Sequence, residues 1–179
     1  MPKRAVFLDR DGTINVDKHY LYKITDFEYL PGIIKALEMM QDKGLAIVII
    51  TNQSGISRGL YSEKDYETLN KWMIADLQNH GISIAATYHC PHGPEEQCNC
   101  RKPRLGLFTK AACDLDLDID RSFVIGDKER DVEICKTSGA RGFIIYSNQT
   151  KKDGNIEHIQ GGLYEAAKRI MQDMEKEGI

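Results

Sequence analysis

Residues 5–13 read AVFLDRDGT, a run of four apolar side chains from Ala5 to Leu8 that ends in Asp9, Asp11, Gly12 and Thr13. Apolar residues closed off by Asp and Gly describe a short buried strand with a polar turn at its carboxyl end. The same phrase recurs: Leu45 to Ile50 runs into Thr51-Asn52-Gln53-Ser54-Gly55, and Ser122 to Ile125 into Gly126-Asp127-Lys128. Ile82 to Tyr88 and Gly142 to Tyr146 complete the predicted strands. Between them, Ile33, Ile34, Leu37 and Met40 are spaced as one helix face, and Tyr66, Leu69, Met73 and Leu77 as another; Gly44 and Gly81 mark the stops. Ser62 with Asp65 predicts a capping box opening the second of these helices. Further helices are expected over 107–115, 130–138 and 163–176, and a solvated loop over 147–160. Strands alternating with helices predict an α/β fold, a mostly parallel sheet wrapped on both faces by right-handed crossovers.

The length of 179 residues fits one domain, 1–179, with 41% hydrophobic and 28% charged residues, a balance that supports a packed globule. Lys and Arg number 24 and Asp and Glu 27, a net charge of −3 that lacks the basic excess of a nucleic-acid or anionic-membrane binder. The apolar run before Asp9 is too short for a signal-peptide core, and no run approaches the about 20 residues that span a bilayer, so a cytoplasmic location is expected. Only 39 residues separate Asp11 from Thr51, which leaves no room for a large cap domain between them. Loops 14–30 and 52–61 and the cysteine-rich segment are then expected to form the rim that selects the substrate, with no membrane and no nucleic acid as partner and a monomer as the working form.

In an open α/β sheet, ligands bind beyond the carboxyl ends of the strands. Asp9, Asp11 and Asp127 would face one crevice there, together with a hydroxyl and free amides at 51–55. Carboxylates packed so closely repel, and the remedy is a hard cation such as Mg²⁺, which takes oxygen ligands and keeps several waters. An EF-hand is excluded, because it needs Gly at the sixth loop position and Gly12 stands fourth from Asp9. Lys102 adds a positive charge. A carboxylate beside a Lys and Mg²⁺ stays ionised and can attack phosphorus, with Asp11 serving first as acid and then as base. Asp131 also reads as an acid in the first turn of a helix.

Asp9-x-Asp11-Gly-Thr13, Thr51-Asn52, Lys102 and Gly126-Asp127-x3-Asp131 resemble the four motifs of the haloacid-dehalogenase superfamily, in order and over nearly the whole chain. The resemblance implies a Rossmann-like three-layer α/β/α sandwich. It implies Asp9 as nucleophile, Asp11 as acid/base, Thr51 and the Asn52 amide holding phosphate, and Lys102 neutralising it. Mg²⁺ would sit on Asp9, Asp127 and the Asp11 carbonyl.

Cys90, His92, Cys98 and Cys100 offer three thiolates and an imidazole within eleven residues, the ligand set of a closed tetrahedral Zn²⁺ site. With no open position, such a site is structural and pins the loop 90–100. His89 points the opposite way along its strand, and Cys113 and Cys135 are expected as small buried residues on helices. A zinc loop running into Cys100-Arg101-Lys102-Pro103, with the segment 51–59, resembles the heptose 1,7-bisphosphate 7-phosphatases; histidinol-phosphate phosphatases share the zinc loop. A small phosphorylated sugar is therefore the expected substrate and histidinol phosphate the runner-up. Asn52, Gln53, Ser54, Arg58, Arg101 and Lys128 are the candidates for holding it, since arginine's planar fork suits phosphate. A polynucleotide 3'-phosphatase, or a cation-binding module without turnover, are the alternatives.

Overall fold

The computed structural model describes residues 2–178. Five parallel strands form its centre: β1 (Ala5–Leu8), β2 (Ala46–Asn52), β3 (Ile84–Cys90), β4 (Phe123–Gly126) and β5 (Arg141–Ile144). A hairpin, β6 (Lys151–Asp153) and β7 (Ile156–His158), extends the sheet. The order is β3-β2-β1-β4-β5-β7-β6, with β6 antiparallel to β7 and every other pairing parallel. The chain thus moves one way from β1 to β2 and β3, then returns to place β4 on the other side of β1. That reversal opens a crevice at the carboxyl ends of β1 and β4, where doubly wound sheets bind ligands.

Alternation along each strand sends side chains to two cores. Val6, Leu8, Ile47, Ile49, Phe123 and Ile125 pack beneath α1 (Ile33–Asp42), α4 (Leu163–Lys176) and the lower face of α2 (Glu63–Asn79). Ala5, Phe7, Val48, Ile50 and Val124 pack against α3 (Gly106–Leu115) and the segment after β4. The expected capping box opens α2: Ser62 and Asp65 exchange hydrogen bonds between side chain and backbone N–H at 2.8 and 3.1 Å. Among the described residues, no helix is long and apolar enough to cross a membrane.

The structure departs from the sequence reading at four places. The helix expected over 130–138 is two 3-10 turns, Glu129–Asp131 and Glu133–Lys136. Asp131 turns inward there, and its carboxylate accepts the Lys128 N–H at 3.1 Å. The solvated loop expected over 147–160 contains the β6–β7 hairpin. Its two-residue turn, Gly154-Asn155, is a hairpin signal, and β7 is drawn in because Ile156 is buried against β5. The third strand begins at Ile84 and ends at Cys90, which puts the first cysteine of the cluster on the sheet. Cys113 is exposed on α3, whereas Cys135 is buried; helical spacing alone did not say which face Cys113 occupied.

Candidate active site

Asp9 is the first residue beyond β1, and its backbone N–H still bonds to Ile125 O of β4 at 3.0 Å, so the sheet itself sets the position of its side chain. Lys102 lies directly against it although 93 residues away: Nζ donates to Asp9 Oδ1 at 2.7 Å and to Ile50 O at 2.6 Å, and lies 2.8 Å from Asp131 Oδ1. The lysine is only 2% exposed. An ammonium so deeply buried needs partners, and three oxygens provide them. Asn52 positions this lysine's backbone, giving its amide to Lys102 O at 3.1 Å and accepting the Lys102 N–H at 3.0 Å.

Burial is the largest influence on the Asp9 carboxyl and carries it up to about 7, although Lys102 pulls the other way. Burial also opposes the charge on Lys102, but Asp9 and Asp131 outweigh it and hold the ammonium above the ordinary lysine range. Asp127 is raised by burial against the pull of Lys128, whose Nζ lies 2.9 Å from it and 3.5 Å from Asp17 across the crevice. The chemistry of this cluster fits a divalent cation. One oxygen each of Asp9, Asp127 and Asp131 lie within 4.8 Å of one another, and Asp127 Oδ1 is buried without a hydrogen-bond partner. Gly12 makes room for it: with φ at +84°, a Cβ there would fall 2.5 Å from Asp127 Oδ2. The Asp11 side chain is outside this cluster, so only its carbonyl remains available as the ligand that the sequence suggested. Asp131, read from sequence as a helix-start acid, is instead a buried member of the cluster, paired with Lys102 at 2.8 Å.

A cavity of about 260 Å³ opens over these groups, lined by Asp9, Asp11, Thr51, Asn52, Gln53 and Ser54 at its base and by Arg58, Arg101, Lys128 and Arg130 at its rim. The sequence-predicted residues therefore share one site, with Lys102 beneath it and Asp127 beside it. Their side chains are used unequally. Asn52 is engaged with Lys102, and Gln53 is buried with its amide turned to Thr51 and Asp11. Arg58 stands over the Tyr20 ring at 5.9 Å, and Arg101 Nη1 donates to His92 O at 3.1 Å. Sequence reasoning overlooked Arg10, Asn15, Asp17, His19, Tyr20 and Tyr61. Arg10 had a signal: an arginine between two acids just past a buried strand has carboxylates in reach, and it lies fully buried on Asp11 at 2.9 Å, over the Tyr66 ring.

Beside the cavity, Cys90, His92, Cys98 and Cys100 converge. Cys90 Sγ is 3.7 Å from Cys98 Sγ and 3.1 Å from Cys100 Sγ, and His92 Nδ1 is 3.5 and 3.2 Å from Cys90 and Cys100. Four ligands at zinc-like bond lengths of about 2.0–2.3 Å would stand roughly 3.3–3.8 Å apart, so this group could hold a tetrahedral metal. His89 points away from it and pairs with Glu63.

The profile of the polynucleotide kinase 3 phosphatase family matches residues 4–156. The chain belongs to this family, a phosphatase family of the haloacid-dehalogenase superfamily. Among curated relatives of this phosphatase, the D-glycero-beta-D-manno-heptose-1,7-bisphosphate 7-phosphatase of Haemophilus ducreyi is 45% identical over 152 residues, 81% of this chain and 84% of the relative. The D-glycero-alpha-D-manno-heptose-1,7-bisphosphate 7-phosphatase of Campylobacter jejuni is 42% identical over 156 residues, 87% and 89% of the two chains. Among solved structures, the D,D-heptose 1,7-bisphosphate phosphatase from B. bronchiseptica, complexed with magnesium and phosphate, matches with a TM-score of 0.83 at 27% identity over 95% of this chain and 99% of that one.

Proposed function

We propose that this phosphatase removes the 7-phosphate of D-glycero-D-manno-heptose 1,7-bisphosphate in the cytoplasm, through an aspartyl-phosphate, a mixed anhydride formed on Asp9. The observation that carries the reading is the Asp9 carboxylate, buried yet kept beside Lys102 Nζ at 2.7 Å and facing a cavity rimmed by three arginines, Arg58, Arg101 and Arg130. Asp9 attacks phosphorus and the bond to the sugar oxygen breaks. Lys102 offsets the repulsion between carboxylate and phosphate, and Thr51 with the Asn52 backbone amide holds the phosphate oxygens. Asp11 protonates the departing oxygen, then takes a proton from the water that releases phosphate from Asp9. Magnesium held by Asp9, Asp127 and the Asp11 carbonyl would supply further positive charge at the phosphate. Zinc on the four-ligand loop would hold Arg101 in place through His92 O. Arg58, Arg101, Lys128 and Ser54, which line the same cavity, are the groups for the second phosphate and the sugar hydroxyls.

Side-by-side kcat/KM values test the substrate. A preference of at least about tenfold for either anomer of the heptose bisphosphate over histidinol phosphate and over a 3'-phosphorylated oligonucleotide is the expected result, since one charged hydrogen bond to the second phosphate is worth that much. Relatives named for both anomers match this chain, so the two anomers are separate arms of the experiment. A preference for histidinol phosphate or for the oligonucleotide would overturn the substrate and leave the reaction class standing.

A further inference from the structure

The Asp11 carboxylate is gripped at both oxygens. Oδ1 accepts from Asn15 Nδ2 at 2.9 Å and Arg10 Nη2 at 3.0 Å; Oδ2 accepts from Arg10 Nη2 and Gln53 Nε2, each at 2.9 Å. Gln53, 3% exposed, has no group left over for a substrate. Its Nε2 also donates to Thr51 Oγ1 at 2.8 Å, and its Oε1 accepts from Tyr61 OH at 2.5 Å. Tyr61 is set in turn by its surroundings. Its ring stacks on Tyr22 with centroids 5.4 Å apart, and a Cβ at Gly55 would fall 2.1 Å from it, so the turn after Gln53 needs glycine for the tyrosine to reach the glutamine. Loop 14–30 thus reaches Asp11 directly through the Asn15 amide, and loop 52–61 reaches it through the Gln53 amide that Tyr61 anchors.

We propose that Gln53, anchored by Tyr61, is a positioning residue that aims the Asp11 carboxyl at the leaving oxygen of the phosphate ester. The inference rests on Asp9 as nucleophile and Asp11 as acid/base. In the first half-reaction the bond from Asp9 Oδ to phosphorus forms while the bond from phosphorus to the leaving oxygen breaks. The electron pair stays on that oxygen, and a proton passes to it from Asp11. A sugar alkoxide needs this proton, whereas a nitrophenolate departs without it. Misdirecting Asp11 therefore damages cleavage of an alkyl phosphate and spares cleavage of an aryl phosphate. A glutamine that only supported the fold or the phosphate would affect both alike.

The test compares Gln53→Leu and Tyr61→Phe with the unaltered chain, using kcat/KM because it reports the steps through the first bond cleavage. The substrates are heptose 1,7-bisphosphate and 4-nitrophenyl phosphate, with inhibition by inorganic phosphate as a measure of phosphate holding and thermal melting as a check on folding. Gln53→Leu is expected to lower kcat/KM on the sugar phosphate about 10²-fold, the lower end of what a general acid contributes, and on the aryl phosphate by less than about threefold. Tyr61→Phe should move the same ratio in the same direction by less. If Gln53→Leu does not fold, Tyr61→Phe, which removes a single hydroxyl, decides by that ratio. Equal losses on both esters, or a loss matched by weaker phosphate inhibition, would overturn the proposal. Turnover by Asp9→Asn would instead overturn the underlying mechanism, so the two failures are told apart.

Discussion

The carboxylate crevice and the cysteine loop adjoin each other and both concentrate ionisable side chains, but they are held in opposite ways. Asp9 and Asp127 stand at the ends of paired strands and Asp131 on the 3-10 turn that follows β4, with Ile125 O, Ile50 O and Lys102 already engaged in their neighbourhood. Residues between Cys90 and Gly106 contain no helix or strand; Asn52 and the buried Lys102 tie the carboxyl-terminal end of the segment to the sheet, and its centre is gathered around four converging ligands and the Arg101 bond to His92 O. A group placed by a sheet inherits the stability of the whole core. A group placed by a loop has only what its ligands supply, which is why structural metals recur in segments too small to bury a core.

Breaking each side of that comparison gives graded outcomes. Asp9→Asn should lower phosphate release from a sugar phosphate by on the order of 10⁴-fold or more while leaving the fold intact, as checked by initial rates and circular dichroism. Lys102→Met should lower kcat by about 10²–10³-fold, and it should also destabilise the apoprotein by roughly 3–5 kcal/mol, because two buried carboxylates lose the cation they share. Denaturant midpoints with and without Mg²⁺ would read this, and a neutral effect on stability would mean the crevice is not held as described. If the cysteine loop holds zinc, removing it with a chelator and restoring Mg²⁺ should cost about 4 kcal/mol, roughly 8–16 °C in Tm, for zinc present at about a thousand times its Kd. Hydrogen exchange should then rise across residues 90–105 while β1, β2 and β4 stay protected; equal loss everywhere would erase the distinction. The smallest effect is expected from Arg101→Ala, about a tenfold rise in KM for the bisphosphate with kcat nearly unchanged. Because Arg101 is tied to His92 O, chelation should reproduce part of that rise, whereas the KM contribution of Arg58 should survive it.

Much of the crevice was legible because its residues follow strands. Ala5 to Leu8 could only be buried, and Asp9 had to emerge at the end. The cysteine ligands were legible by chemical type and proximity in the chain. Lys102 was legible as a motif but not as a position, since nothing local says that a lysine in a loop will cross 93 residues to reach Asp9. Gln53 was placed in the site by its neighbours, while its orientation depended on Tyr61 and Gly55. The hairpin at 151–158 was lost because a polar loop and a charged edge strand look alike in composition; Lys151, Lys152 and Asp153 are all exposed.

Local covalent geometry and side-chain chemistry therefore determined the strands, the caps, the turn at Gly12 and the ligand set of the cysteine loop, since each depends on residues a few positions apart. Tertiary packing decided that β1 lies between β2 and β4, that Asn52 holds Lys102, and that Arg10 rather than any other arginine is buried on Asp11. The reason is desolvation. Which of many similar charged side chains loses its water depends on what the rest of the chain lays over it, and that is a property of distant segments meeting.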